Sequence, residues 1–99
     1  MVLAPTLDKL KLLESSLRAQ GVCGLHAFGS RARDDASPAS DLDLMFDIAP
    51  GARFSLFDQA RIARQLSEIL HTKVDFVPSR SLHPLVRSRA DAERVTIFG

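Results

Sequence analysis

Gly29-Ser30 is followed by ten residues that include Arg31 and Arg33, and then by Asp41-Leu42-Asp43. An apolar stretch, Val22 to Phe28, precedes the glycine and reads as a strand, so Gly29 can make a sharp turn and let backbone approach a ligand closely. A helix starting near Ser30 would turn free N–H groups and the positive end of its dipole toward an anion, with the serine hydroxyl as a further donor. Asp41 and Asp43 fall on one face of the next strand, because strand side chains alternate. Two carboxylates so placed repel each other unless a cation sits between them, and Mg²⁺ binds one or two protein carboxylates together with phosphate oxygens and water. The chemistry that suits this set is the handling of a triphosphate with Mg²⁺.

Within the spacer, Arg33 lies on the helical face of Ser30, while Arg31 points about 100° away. Arg33 is therefore the first candidate for a phosphate contact and Arg31 the second. Asp34 and Asp35 are neighbours whose side chains diverge and are read as a solvated turn. Asp75 supplies a third acid in the short apolar run Val74 to Val77. Flanked by Val74 and Phe76, it is expected to need a partner against the cost of burial. If its strand lies beside that of Asp41 and Asp43, all three carboxylates can share a face. Asp47 is on that face too, but about 13 Å from Asp43 along an extended strand, and is assigned a structural part.

These residues resemble the nucleotidyltransferases of the DNA polymerase β type, whose signature is apolar-Gly-Ser, a spacer of about ten residues, and Asp-apolar-Asp. Gly-Ser-Arg-Ala-Arg followed by Ser-Asp-Leu-Asp-Leu resembles the minimal branch, although Asp34 stands where that branch has glycine. The resemblance covers Val22 to Pro78. It implies that Asp41, Asp43 and Asp75 are the catalytic, metal-holding carboxylates for two Mg²⁺ ions, with Asp75 as general base. It also implies that Gly29, Ser30, Arg33 and Arg31 bind the phosphates of ATP. Members of the minimal branch act beside a helical HEPN toxin, transferring AMP to one of its tyrosines. The expected role is thus that of antitoxin and protein adenylyltransferase in a hetero-oligomer. Transfer to a small hydroxylated molecule such as an aminoglycoside, and neutralisation of a partner by contact alone, are the alternatives.

Helices and strands must bring these groups together. Thr6 is a candidate cap for a helix from Leu7 to Gln20, with Leu7, Leu10, Leu13 and Leu17 as its buried stripe and Gly21 as its stop. In the strand from Asp41 to Ile48, Leu42, Leu44, Phe46 and Ile48 form the face that helices cover, leaving the carboxylate face open. Ser55 and Asp58 read as a capping box for a helix ending near His71, with Leu56, Ala60, Ala63, Leu66, Ile69 and Leu70 buried. Ser81 is expected to cap a helix from Leu82 to about Ala92, and Val95 to Phe98 to close the fold as a strand or docked tail. His26, His71 and His83 have no second ligand at metal spacing and are assigned no chemistry. The fold class is α/β, a polymerase β-like nucleotidyltransferase fold: one domain over residues 1–99, a small mixed sheet with helices packed on one face.

Composition narrows the alternatives. The 99 residues carry a net charge of +1, which gives no general polyanion-binding surface, and the six aromatics are all phenylalanine, with no Trp or Tyr to stack bases. Direct nucleic-acid binding is not expected. Cys23 is the one cysteine, which excludes an internal disulfide and suits a reducing, cytoplasmic setting. No apolar run reaches the roughly 18 residues of a membrane span, and Lys9, Lys11 and Glu14 interrupt the N-terminal leucines as no signal peptide would.

Overall fold

A computed structural model describes residues 3–28, 42–82 and 84–99. In chain order the elements are α1 (Leu3–Leu12), α2 (Glu14–Ala19), β1 (Val22–Phe28), β2 (Leu42–Ile48), α3 (Leu56–Leu70), β3 (Val74–Pro78), a 3₁₀ turn (Ser79–Ser81), α4 (Pro84–Glu93) and β4 (Val95–Phe98). Among the described residues, the strands form one sheet of order β3-β2-β1-β4. β1 is antiparallel to both β2 and β4, whereas β2 and β3 are parallel with α3 as their crossover. The expected mixed α/β sheet is present. Its direction of pairing follows from chain reversal between β1 and β2, which the presence of a connecting segment does not by itself dictate.

The first helix is divided. It begins at Leu3, earlier than expected, since Pro5 is tolerated in a first turn. Thr6 is consequently a buried residue inside the helix, not its cap. At Leu13 the path tightens, with Leu13 N–H donating to the Leu10 carbonyl, and α2 continues to Gln20. The leucine stripe survives the break: Leu10 and Leu17 are buried, and Leu7 and Leu13 pack against the core. Gly21 closes the segment at φ +100°, a conformation that side-chain-bearing residues rarely adopt.

The capping box of α3 is made, with the Asp58 N–H donating to Ser55 Oγ and the Ser55 N–H to Asp58 Oδ2. Its buried face differs from the expected one. Ile62 and Leu66 are buried, whereas Leu56 and Ile69 are exposed at 81% and 43% and Ala60 is also exposed. Two polar residues set this rotation: Gln59 Nε2 donates to the Phe76 carbonyl and Ser67 Oγ accepts from the Val74 N–H. Positions 59, 62, 63, 66, 67 and 70 therefore face the sheet, at helical spacing, and β3 gains hydrogen bonds as well as contacts. His71 then ends the helix in the left-handed conformation.

The core lies between this helical layer and one face of the sheet. Leu42, Leu44 and Phe46 of β2 meet Leu25 and Ala27 of β1, Val74 and Phe76 of β3, and Ile97 of β4. Phe46 stacks on Phe76 with ring centroids 4.0 Å apart. The opposite face is not open along its whole length: Met45 is fully buried, and α4 lies against β1. Pro84, not Leu82, begins α4, because Ser79–Ser81 form a separate 3₁₀ turn.

Candidate active site

Leu42 and Leu44 are fully buried under the helices, so Asp43 between them points to the other face of the sheet. Val74 and Phe76 place Asp75 in the same way. In the parallel ladder Asp43 and Asp75 are register partners, which sets the two residues side by side on adjacent strands whose backbones lie about 4.8 Å apart. On its other side Asp43 is opposite Phe28, the last residue of β1. Phe28, Asp43 and Asp75 thus make one row across three strands.

Asp75 is exposed and Asp43 half-buried. The expectation that Asp75 needs a partner to offset burial is therefore corrected: alternation puts its apolar neighbours in the core and its carboxylate in water. Asp41, Gly29, Ser30, Arg31 and Arg33 lie outside the described residues, as do Asp34, Asp35 and His83. The segment that carries the first seven leaves Phe28 and returns at Leu42, both bordering the row.

Among the described residues no group of three His, Cys, Asp or Glu is placed to hold a metal ion. Asp43 and Asp75 alone present hard oxygen donors in adjacent positions, and this donor set fits Mg²⁺, which binds through one or two carboxylates and completes its shell with water and phosphate oxygens.

A second constellation lies one row further along the same face, and sequence reasoning did not join it. His26 is buried, with Nδ1 3.0 Å from Thr96 Oγ1 and Nε2 3.0 Å from Asp47 Oδ2. Burial alone would raise the Asp47 pKa, but hydrogen bonds from His26 and Ser79 and the charges of His26 and Arg87 outweigh it and hold the carboxyl below its ordinary value. An ionised carboxylate only accepts, so Nε2 carries the proton toward Asp47. Gly24 makes the contact possible, since a Cβ there would come within 2.5 Å of Asp47 Oδ2. The glycine inside a strand was the available signal of such an approach.

Comparison with known proteins decides the family of the chain. The family model described as nucleotidyltransferase domain matches residues 10–97. The chain belongs to this family. The nucleotidyltransferase is 34% identical over 90 residues to a protein of Methanocaldococcus jannaschii named as a candidate protein adenylyltransferase, with 91% of this chain and 94% of the relative covered. It is also similar to a solved candidate minimal nucleotidyltransferase, at 32% identity and a TM-score of 0.80, covering 96% of this chain and 95% of the other. A tri-AMPylated HEPN toxin in complex with its MNT antitoxin, from Shewanella oneidensis, matches at 18% identity and a TM-score of 0.70, covering 97% and 71%. That last likeness is one of fold.

Proposed function

We propose that this nucleotidyltransferase moves AMP from ATP to a tyrosine hydroxyl of a HEPN-type toxin and so acts as its antitoxin in the cytoplasm. The observation that carries the reading is the register pairing of Asp43 with Asp75 beside the end of β1. Two relatives add to it, one named for protein adenylyltransferase activity and one bound to an AMPylated toxin.

In this reaction the acceptor oxygen attacks the α-phosphorus of ATP, the bond to the β-phosphate oxygen breaks, and pyrophosphate leaves. Asp75, exposed at the edge of the sheet, takes the proton of the attacking hydroxyl. Asp41 and Asp43 orient the nucleotide, while Gly29, Ser30 and Arg33, with Arg31 in support, hold the departing pyrophosphate. Asp41, Asp43 and Asp75 would hold Mg²⁺, two ions in all, which when bound neutralises phosphate charge and makes the acceptor hydroxyl more acidic. One nucleotidyltransferase domain spanning 1–99 provides one wall of the cleft, and the toxin provides the other in a hetero-oligomer.

The test is incubation of the protein with α-labelled ATP, Mg²⁺ and the HEPN-type protein. Label is expected on the toxin, and its loss on Asp43→Ala or Asp75→Ala. Labelling of an added aminoglycoside instead, or neutralisation of the toxin by both variants without labelling, overturns the proposal.

A further inference from the structure

The His26 constellation belongs to no part of the reaction just described, yet it sits where the pairing of β1 with β4 is irregular. Against β2 the register of β1 shifts between Val22 and Gly24, and against β4 it shifts between Leu25 and His26. Each irregularity interrupts the ladder, and a slip of one residue would turn every following side chain to the opposite face. Beyond the second shift only His26, Ala27 and Phe28 remain before the strand ends.

His26 spans this weak point. Thr96 belongs to β4 and Asp47 to β2, so one ring hydrogen-bonds to both neighbours of its own strand. The site is built for the contact: Gly24 leaves room for the Asp47 carboxylate, and the buried Ser79 hydroxyl next to it donates to the Phe46 carbonyl. With Nε2 turned to Asp47, Nδ1 pairs with the Thr96 hydroxyl. The ring is buried while its two partners reach toward solvent, and with both ring nitrogens engaged the network favours one arrangement of the groups it joins. Two residues on, Phe28 is opposite Asp43.

We propose that His26 is a positioning residue for nucleotidyl transfer, fixing the end of β1 in register with Asp43. The inference rests on the reaction proposed at Asp43 and Asp75, but its physical content, the register of Phe28, is measurable without turnover.

The experiment compares wild type with His26→Leu, His26→Gln and Ile62→Val in the ATP, Mg²⁺ and toxin assay, and follows amide hydrogen exchange at Ala27 and Phe28 in each free protein. His26→Leu is expected to lower kcat by about tenfold or more, since small misplacements of reacting groups are costly, and to speed exchange at Phe28. His26→Gln, whose amide can hydrogen-bond to both Asp47 and Thr96, is expected to recover most of both. Ile62→Val loosens the core on the opposite side of the sheet and is expected to keep kcat. The proposal is overturned if His26→Leu retains wild-type kcat and exchange, if glutamine recovers neither, or if Ile62→Val lowers kcat as far. Should wild type transfer nothing, the reaction is refuted and the exchange data alone decide the role of His26. If His26→Leu does not fold, Thr96→Val removes one of the two hydrogen bonds and carries the same comparison.

Discussion

Asp43 and Asp47 leave the same strand on the same face, four residues apart, and meet opposite surroundings. Asp47 is met by a buried histidine, a buried serine hydroxyl and the charge of Arg87, and its acidity is shifted accordingly. Asp43 has another carboxylate, Asp75, as its neighbour across the ladder. A fold selected for stability alone arranges acids as at Asp47. At Asp43 the register instead sets a second acid alongside, an arrangement that a divalent cation would favour.

The contrast can be broken by substitution. Asp43→Asn and Asp75→Asn should each lower transfer by about a thousandfold while leaving urea unfolding little changed. Chelation of divalent ions should abolish transfer with the melting temperature unchanged. Loss of folding in either experiment would move Asp43 and Asp75 into the structural class.

Asp47→Ala should show the reverse weighting. Leaving the buried Nε2 of His26 without its acceptor should cost about 1–3 kcal/mol in urea unfolding. Gly24→Ala should destabilise in the same direction by a smaller amount, although Gly→Ala is ordinarily favourable in a strand, because the added methyl collides with the Asp47 carboxylate. If both variants are as stable as wild type, the His26 hydrogen bonds hold nothing together.

The smallest effect is in pH. A carboxyl whose folded pKa lies below its unfolded one stabilises the fold above the unfolded value, near 3.9 for Asp, and the contribution disappears as pH falls through the lowered folded value. Asp47→Asn should therefore flatten the acid limb of the stability profile measured between pH 5 and pH 2, about the ordinary carboxylate range. An unchanged limb would assign acid sensitivity to other groups, among them Asp58, whose carboxyl is also held low: backbone and side-chain hydrogen bonds from Ser55 lower it more than burial raises it, with Arg61 adding to the effect.

Much of this arrangement was legible in the chain. Val22 to Phe28 forms the strand that its apolar run indicates, and Leu42, Leu44 and Phe46 turn inward as their alternation requires. The capping box at Ser55 is local and was read correctly. The buried face of α3 was not, because the largest apolar side chains suggested one stripe while Gln59 and Ser67 bind the backbone of a strand whose position a one-dimensional pattern does not contain. The sheet order was likewise invisible, since adjacency between distant segments is a tertiary fact. At the candidate site the spacing points to Asp41 and Asp43, and the apolar run of the later strand to Asp75, but Asp75 has no burial to offset: its neighbours are buried and it is not. The link from His26 to Asp47 spans 21 residues, and to Thr96 it spans 70, so no local motif announced it.

Asp75 rides on an outermost strand that is flanked by β2 on one side and steadied by Gln59 and Ser67 of α3. In the proposed reaction the proton acceptor is therefore carried by a strand that, among the described residues, pairs with the sheet on one side only. On warming, loss of transfer should run ahead of the overall melt, with the inactivation curve displaced to lower temperature than the unfolding curve.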